Sequence, residues 1–455
     1  MRAYKTSLFI FRRDLRLEDN RALIQALSLS QKVYCAFIVD PMFNRAPHKR
    51  QFAKAALLQG LTALEQQLRQ HNAGLMILEG RPQQVLPEII RAQNIEAVFV
   101  NREYTPAGQR RDLAIEQLCR QQGVGWHSLD DVCLFPPGAI LKNDGNPYTV
   151  FTPFYKRCLQ FRVESAQPLP ADAGRQLQRA PASRRLQPDA LYAYWQLQAG
   201  ALALPPREEI ISGLGRYNQY DKLRDIPAEA HTSRLSAYLK LGLISARQAY
   251  HAIGCALGAE SPLLRQLYWR DFFTHIGYFF PHVFGHAFRR QYEAIRWADN
   301  HEHFQAWCEG RTGFPLVDAG MRELAQTGYM HNRVRMVVAS FLVKDLHIDW
   351  RWGEAWFADK LVDYDAAVNN GNWQWAASTG CDAQPYFRIF NPWRQQQKFD
   401  PDCRYIYQWL PELTAYSPQQ LHYWYEQPGT AGYPAPLVDH ASQAAQAKAL
   451  FAAAR

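Results

Sequence analysis

The stretch Asp363–Pro392 reads DYDAAVNNGNWQWAASTGCDAQPYFRIFNP, a composition that suits neither an ordinary core helix nor a solvated loop. Two carboxylates stand beside side-chain amides and indoles, supplied by Asp363, Asp365, Asn369, Asn370, Asn372, Trp373 and Trp375. Carboxylates and amides hydrogen-bond N–H and C=O groups, and indoles supply a large flat contact area. The stretch therefore predicts a pocket for a large planar ligand that carries imide-type hydrogen-bonding groups.

The segment just upstream, Gly310–Arg351, predicts a helix with two different sides. Its polar side carries Asn332, Arg335 and Met336, while an apolar side packs inward. Arg335 is a natural partner for Asp363 or Asp365, because a buried carboxylate needs a compensating group. A metal site is the alternative for two carboxylates, but DYDAAVNN offers no further His, Asp or Glu ligand.

Two earlier segments have the chemistry of a nucleotide site. HTSRLSAYLKLGLIS, from His231, predicts a helix with hydroxyls in its first turn, on Thr232, Ser233 and Ser236. Such a turn binds an anion or is a plain N-cap. Tyr220 and Arg224 would add a ring and a positive charge.

LLRQLYWRDFF, from Leu263, places an amide, an indole, a guanidinium and a phenyl ring on one helix face, from Gln266, Trp269, Arg270 and Phe273. This face suits a wall that stacks on a base and contacts a phosphate. A helix between two domains is the alternative, and the segment alone leaves both open.

The bulk composition limits the class of protein. A length of 455 residues predicts two domains, or three at most. The net charge of +9 fits either a polyanion partner or a merely basic surface. Eight cysteines without a C-x-x-C pair favour buried free thiols in a reducing compartment. The N-terminal apolar run is too short for a signal peptide and Met336–Val343 is too short to span a bilayer, so we expect a soluble cytoplasmic protein.

Residues 1–130 alternate strand and helix patterns, which predicts a doubly wound parallel sheet. The strands are predicted at Leu8–Phe11, Val33–Val39, Leu75–Leu78 and Ala97–Val100, with helices at Gln51–Gln70 and Gly108–Gln121. No G-x-G-x-x-G follows a strand, so the dinucleotide fingerprint is missing.

Residues 131–205 are predicted to link two domains, since the part from 161 is rich in Pro, Ala, Arg and Gln and would run over the surface. Residues 206–455 predict an all-helical domain. Its helices are predicted at Ser233–Tyr250, Leu263–Phe280, Leu316–Gly328, His331–Leu346 and, Ala-rich, Ser442–Arg455.

Three long motifs, TGFPLVDAGMREL, NRVRMVVASFLVKDLHIDWR and NNGNWQWAASTG, resemble the DNA photolyase and cryptochrome superfamily. Nearly the whole chain resembles it, and most closely the class I photolyases of bacteria that act on cyclobutane pyrimidine dimers. The resemblance implies a Rossmann-like α/β domain followed by an all-α domain that binds FAD bent into a U.

The resemblance also implies roles for individual residues. Arg335 and Asp363 would pair beside the flavin, Asp365 would face its imide edge and Asn369 its N5 atom. The cofactor-binding set is Tyr220, Arg224, Thr232, Ser233, Leu235, Ser236, Trp269, Arg270, Asn332, Arg335, Asp363, Asp365 and Asn369. Trp373, Trp350 and Trp297 would carry electrons between the flavin and the surface.

By resemblance, the reaction is light-driven electron transfer from reduced flavin to a pyrimidine dimer that has left the DNA stack. The lesion and its DNA would contact Gln266, Trp269, Asn332, Arg333, Met336, Trp375 and Arg388. Plant cryptochromes have Asp where this chain has Asn369. An amide does not readily give a proton to N5, so Asn369 favours a repair enzyme over a photoreceptor.

One residue departs from the class I pattern, because Gln266 stands where those enzymes usually have Glu. Enzymes for (6-4) photoproducts often have Gln there, but they place His residues where this chain reads MHNRVRM. Dimer repair is therefore the expectation, with (6-4) repair, a blue-light receptor and an unspecialised flavoprotein as alternatives. We also expect a monomer and a second, antenna chromophore of folate or deazaflavin type. NREYTPAGQRRD lacks the Asn-Glu step of folate binders, which leaves the identity of the chromophore open.

Overall fold

The structure, a computed structural model, describes residues 2–41, 50–181, 188–197, 202–382, 387–426 and 432–454. Its one sheet has five parallel strands in the order β3-β2-β1-β4-β5. The strands are β1 (Tyr4–Phe11), β2 (Ser30–Val39), β3 (Leu75–Glu79), β4 (Ala97–Asn101) and β5 (Gly125–Leu129). Phe9 of β1 lies opposite Cys35 of β2 and Phe99 of β4.

The parallel sheet and its four predicted strands are confirmed, and each runs up to a few residues beyond the predicted bounds. The fifth strand, β5, was not predicted. Its sequence GWHSL is half-buried throughout and contains no apolar run, because it lies at the edge of the sheet beside β4.

Helices make up most of the rest of the described chain. In the first half they are α1 (Arg21–Leu29), α2 (Gln51–Gln70), α3 (Pro82–Gln93), α4 (Pro106–Gln121), α5 (Phe151–Cys158), α6 (Ala173–Gln176), α7 (Pro188–Tyr194), α8 (Arg207–Ser212), α9 (Tyr220–Leu223), α10 (Leu235–Leu241) and α11 (Ala246–Leu257).

The second half continues with α12 (Pro262–Phe279), α13 (His301–Glu309), α14 (Pro315–Thr327), α15 (Asn332–Lys344), α16 (Trp350–Lys360), α17 (Ala366–Ala377), α18 (Pro392–Phe399), α19 (Arg404–Trp409), α20 (Pro418–His422) and α21 (His440–Ala453). Within the part of the chain that the structure describes, no helix has the length and apolar character needed to cross a membrane.

The predicted single helix Ser233–Tyr250 is wrong, because α10 ends and α11 begins inside it. Gly242 ends α10 in the left-handed conformation with a φ of 67°. A Cβ at this position would lie 2.3 Å from the backbone oxygen of Arg13. Only glycine therefore fits where these two backbone segments approach each other. Ser245 then caps α11 by accepting a hydrogen bond from the backbone N–H of Gln248.

The chain divides into two compact units. Unit 1 comprises Met1–Pro147, Tyr155–Gly215 and Arg234–Tyr278, and unit 2 comprises Tyr148–Phe154, Arg216–Ser233 and Phe279–Arg455. The predicted domain boundaries after residues 130 and 205 stay a prediction. The expected surface course of the linker is wrong in part, because Leu177 and Trp195 are buried and Leu177 pairs with Val33 of β2.

Unit 2 is built around a large apolar core of aliphatic side chains in which several large aromatic rings are also buried. Trp307, Trp350, Trp373, Tyr405 and Trp424 are all almost fully buried there. The buried faces of α14 and α15 supply many of the aliphatic side chains of this core. Strands are missing from the described part of unit 2, as the pattern after residue 206 predicts.

Candidate functional site

The start of α17 is held by Asp365, whose carboxylate accepts hydrogen bonds from the backbone N–H groups of Ala367 and Val368. These bonds satisfy two of the N–H groups that a helix leaves free at its first turn. Asp365 is buried, so its carboxylate is fixed within unit 2. Its position at the head of α17 brings it two residues from Asp363 and four from Asn369.

The predicted pairing of Arg335 with a carboxylate is confirmed, and the partner is Asp363. The guanidinium donates to both oxygens, with distances of 3.2 Å and 3.0 Å. Its Nε also donates to the backbone oxygen of Met330 at 2.7 Å. Burial on its own would lower the pKa of Arg335, but the charges of Asp363 and Tyr329 raise it. The bidentate bonds orient both side chains in α15 and before α17.

The side-chain amide of Asn369 is oriented by a hydrogen bond from its nitrogen. Its Nδ2 donates to the backbone oxygen of Glu354 at 3.2 Å, and among the described residues no hydrogen bond uses its Oδ1. Asn370 donates to the side chain of the same Glu354 at 3.0 Å. Burial raises the pKa of Glu354 to about 7, although the bond from Asn370 opposes the rise. Asn369 therefore presents an acceptor oxygen to any donor on a ligand.

Glu354 was missed by the sequence analysis. It lies on α16, and no sequence motif connects it with the two asparagines fifteen and sixteen residues later. Only the packing of α16 against α17 reveals the contact.

Trp373 and Trp350 are buried, with exposed fractions of 2% and 1%, and Trp297 is half-buried. Trp373 packs closely against Gly353, where a Cβ would lie 2.1 Å from the indole ring. Two of these rings are thus buried and one reaches the surface, and the predicted electron course through them stays a prediction. In the described part of the chain, however, ring contacts do not join any two of these three.

Trp307 is a further buried indole beside this set, and the sequence analysis did not single it out. Its ring lies 6.2 Å from that of Trp373, in an edge-to-face arrangement. Phe357 contacts both rings, at 6.2 Å and 5.0 Å. The indole N–H of Trp307 donates to the backbone oxygen of Val338 at 3.0 Å, so the ring is held in one orientation.

The predicted lesion residues of unit 2 differ in how available they are. Asn332 and Arg388 are exposed, whereas Met336 and Trp375 are half-buried. Arg333 pairs with Asp225 at 2.9 Å and lies 4.3 Å over the ring of Phe399. Asp225 therefore already compensates the charge that Arg333 was predicted to offer to DNA.

The predicted anion site at a helix start is corrected by the structure. Helix α10 begins at Leu235, and Arg234 precedes it with a φ of 51° and no side-chain cap. Thr232 and Ser233 consequently lie before the helix, in unit 2, while Ser236 lies in its first turn, in unit 1. In unit 2, Tyr220 opens α9 and the Arg224 guanidinium lies 5.9 Å from its ring.

Helix α12 of unit 1 carries the predicted wall. Gln266, Trp269 and Arg270 are half-buried on it, and Trp269 contacts Phe273 at 5.5 Å. Gln266 donates to the backbone oxygen of Pro262 in its own helix. Arg270 donates to the backbone oxygens of Val132 and Leu239. Its cofactor role stays a prediction, since these bonds give the guanidinium a structural use.

A second polar cluster lies at the carboxyl ends of β1 and β4, where strand order reverses. Ligands of open α/β sheets bind at such a position. Arg12 pairs with Asp112 at 2.7 Å, and Arg111 pairs with Glu103 at 3.2 Å. Burial raises the pKa of Glu103, but nearby guanidiniums outweigh it and hold the pKa at about 2. Arg12 has a buried Nη2 without a hydrogen bond in the described residues, as a site awaiting an acceptor would.

The donor set of unit 2 fits a flavin. Asp365 is an acceptor for an imide N–H, Asn369 presents Oδ1, and the half-buried ion pair of Arg335 with Asp363 supplies a further polar contact. The buried Nη2 of Arg12 likewise fits a second, electron-rich ligand in unit 1.

Comparisons with known proteins agree with this chemistry. Residues 7–173 match the family model of DNA photolyase, and residues 263–453 match that of the FAD binding domain of DNA photolyase. The deoxyribodipyrimidine photo-lyase of Vibrio cholerae is 39% identical, with 94% of this chain and 96% of that relative covered.

Two solved structures are also similar. An archaeal photolyase from Sulfolobus tokodaii with two FAD molecules has a TM-score of 0.88 and 39% identity, with 98% of this chain and 100% of that chain covered. A bacterial class III photolyase from Agrobacterium tumefaciens has a TM-score of 0.89 and 33% identity, with 100% and 98% covered. From the matched models, the shared fold and the identity over nearly the whole length, the chain belongs to the DNA photolyase family and carries its FAD-binding domain.

Proposed function

We propose that this protein splits cyclobutane pyrimidine dimers in DNA in a light-dependent reaction, with FAD as its cofactor. The observation that carries the proposal is the similarity over nearly the whole chain to a deoxyribodipyrimidine photo-lyase, at 39% identity. The bidentate pair of the half-buried Arg335 with the buried Asp363 and the oriented Asn369 support it, because they lie in the matched FAD-binding region.

When bound and reduced, FAD supplies the light-excited electron that opens the dimer. Asp365 would accept the imide N–H of the ring, and the Arg335–Asp363 pair would hold its flank. Asn369 would accept the N–H at N5 with its Oδ1, because its Nδ2 is already bonded to Glu354. An amide oxygen holds that proton in place without exchanging it readily, which favours the reduced cofactor.

Trp373, Trp350 and Trp297 would return the cofactor to its reduced state. Two of the three are buried and Trp297 reaches solvent, so an external reductant can approach only the last. Trp373 is fixed against Gly353, and this fixed ring is the one that would give its electron to the cofactor.

The protein would bind DNA through contacts to its phosphates. It would bind the lesion through a surface of polar and apolar side chains. Arg388 is exposed and would contact a phosphate, while Asn332, Met336 and Trp375 would contact the extruded dimer. Extrusion of a base costs a few kcal/mol, and less for a damaged pair that stacks badly. Affinity should fall as salt rises, because phosphate contacts release counterions. Gln266 and Trp269 are further proposed contacts of the lesion.

Three finer statements belong to the same proposal. The protein would act as a cytoplasmic monomer on damaged DNA. The cluster at the ends of β1 and β4 would hold an antenna chromophore, by comparison with a relative that carries two FAD molecules. The Tyr220, Arg224, Thr232 and Ser233 group would hold cofactor phosphates.

The decisive test uses the reduced, FAD-loaded protein and an oligonucleotide with a single thymine dimer. Blue light should restore the thymines, whereas the dark sample should not. A second oligonucleotide with a (6-4) photoproduct should remain unrepaired under the same light. Failure to restore thymines with normal FAD content would overturn the proposal in favour of a photoreceptor, and repair of only the second lesion would reassign the substrate.

A further inference from the structure

Lys344 is a buried cation that the proposed reaction does not use. It is the last residue of α15 and is 2% exposed. Its Nζ donates to the Oγ of Ser378 at 2.8 Å and to the backbone oxygen of Arg388, and it lies 4.7 Å over the ring of Phe387. Among the described residues it forms no ion pair with a carboxylate. A lysine is almost never buried in this way unless its bonds are needed.

The Nζ bonds connect three separate pieces of unit 2. Ser378 is the C-cap of α17 and has a φ of 62°, so Lys344 fixes the end of the helix that carries Asn369. The segment 387–390 is bonded to α15 a second time, because the backbone N–H of Phe390 donates to the Oγ of Ser340 at 3.4 Å. Ser340 lies one helical turn before Lys344. The Arg388 carbonyl and the Phe390 N–H, which both follow the Arg388 side chain along the backbone, are thus tied to α15.

The Arg388 side chain itself, unlike its anchored backbone, reaches the surface. It is exposed, and its guanidinium lies 4.8 Å from the ring of Phe390. A guanidinium that is stacked on a ring and attached to a fixed backbone loses little freedom when it binds an oxyanion. Phosphate contacts of this kind fix the register of a protein on DNA.

We infer that Lys344 is a positioning residue for DNA binding, which fixes the backbone of Arg388 so that its guanidinium meets a DNA phosphate. This inference rests on the proposed function. Lys344 is too deeply buried to contact a phosphate itself, so any effect of its removal on phosphate binding must pass through Arg388.

The charges around Lys344 add a pH dependence. Burial lowers its pKa to about 7, with Asp345 opposing the shift and Arg388 adding to it. Asp345 is bonded to His440 at 2.5 Å and is influenced by His347 as well. A phosphate on Arg388 would offset the guanidinium charge and raise the pKa of Lys344. By linkage, DNA affinity should then fall as the pH rises through about 7.

The experiment titrates FAD-loaded protein in the dark with a thymine-dimer oligonucleotide duplex at several salt concentrations. Arg388→Ala should lower the slope of log affinity against log salt by about 0.9, the value for one phosphate. Lys344→Met should lower it by the same amount, and the double variant should show no further loss, because the two residues act as one unit. Lys360→Met, which removes a cation paired with Asp359, should leave the slope unchanged.

FAD absorption and the thermal midpoint check that each variant is folded. If Lys344→Met does not fold, Ser378→Ala removes one Nζ partner, and the inference then requires a smaller loss of slope in that variant. A lower affinity with an unchanged slope in Lys344→Met would show a merely structural role and overturn the inference. An unchanged slope in Arg388→Ala would overturn it too, because no phosphate contact would exist to be positioned.

The pH arm compares affinity at about pH 6 and about pH 8. The wild type and Lys360→Met should bind more weakly at the higher pH, while Lys344→Met should lose that part of the change. An identical pH response in Lys344→Met would contradict the charge coupling. Light-dependent repair by the wild type is measured separately, so a failed inference is distinguished from a failed function.

Discussion

Unit 1 buries a network of charges, whereas unit 2 buries aromatic rings. In unit 1, Arg247 bonds both Asp19 and Asp131, Arg16 bonds Asp131, and all four are at most 2% exposed. In unit 2, Trp307, Trp350 and Trp373 occupy the core, where Trp307 contacts Trp373 edge to face. Buried charges impose one arrangement, since each needs its partner, while rings tolerate small shifts. The stability of unit 1 should therefore depend strongly on single buried charges. The stability of unit 2 should depend mainly on the fit of its core side chains.

The largest effect is expected from Arg247→Met, which leaves Asp19 and part of Asp131 without compensation. Removing one partner of a buried ionic network costs about 3–5 kcal/mol. Urea denaturation of wild type and variant measures the difference in the free energy of unfolding. The matched control is Arg120→Met, which breaks an exposed pair with Glu116 and should cost at most about 1 kcal/mol. Equal losses in the free energy of unfolding for the two variants would contradict the expected dependence of unit 1 on its buried charges.

A pair of glycine variants compares how well each unit accommodates an added methyl group. Gly353→Ala places a Cβ 2.1 Å from the Trp373 ring, and this overpacking should cost about 1–3 kcal/mol. Gly254→Ala in α11 meets no atom within 4 Å and should stabilise unit 1 by up to about 1 kcal/mol, the helix propensity of alanine. Thermal midpoints report both effects. A stable Gly353→Ala variant with normal FAD content would mean that Trp373 is free to shift.

A smaller effect on stability depends on pH, and it has opposite signs for a buried carboxylate of unit 2 and one of unit 1. Burial raises the pKa of Glu354 from 4.5 to about 7, so the folded protein binds this proton more tightly than the unfolded chain. Its contribution to stability is present below about pH 4.5 and is lost as the pH rises through about 7. Asp131 behaves oppositely. Burial would raise its pKa, but Arg16 and Arg247 outweigh burial and lower it, so its contribution is lost on acidification.

Glu354→Gln keeps the acceptor for Asn370 but removes the titration. Thermal midpoints at about pH 5 and about pH 8 should show the variant gaining on the wild type as the pH rises. Parallel midpoints at both pH values would contradict the assignment. The FAD spectrum, recorded on the same samples, reports whether Asn369 keeps its orientation.

The smallest effect on stability is expected at Gln266, the predicted lesion contact on α12 of unit 1. Gln266→Glu restores the residue usual in class I photolyases on a half-buried position of α12. The quantum yield of dimer splitting should rise, because a carboxyl group can bond the carbonyl edge of the dimer. Stability should change by less than about 0.5 kcal/mol, as for other substitutions away from the core. A quantum yield that is unchanged or lower would count against the proposed role of Gln266.

Sequence patterns predicted most elements because period and punctuation are local properties. Helix α2 runs over Gln51–Gln70 as predicted, and four strands were recovered. The fifth strand was missed since GWHSL has no apolar run, and the break at Gly242 was missed since its cause is the backbone of Arg13, more than two hundred residues away. The first error arose from a weak strand pattern, and the second from a contact that the local pattern does not contain.

The sequence by itself determined the α/β half, the helical half and the motifs that assign the family, because periodicity and long motifs are written in consecutive residues. The residue pattern left Asp363 and Asp365 open as partners of Arg335, the family resemblance pointed to Asp363, and the tertiary structure confirmed that pair. Only the tertiary structure decided that Glu354 orients Asn369 and that Lys344 anchors Arg388. Each of these contacts joins residues on different elements. Their distances depend on how helices pack and on which buried group needs a partner, and neither follows from local order along the chain.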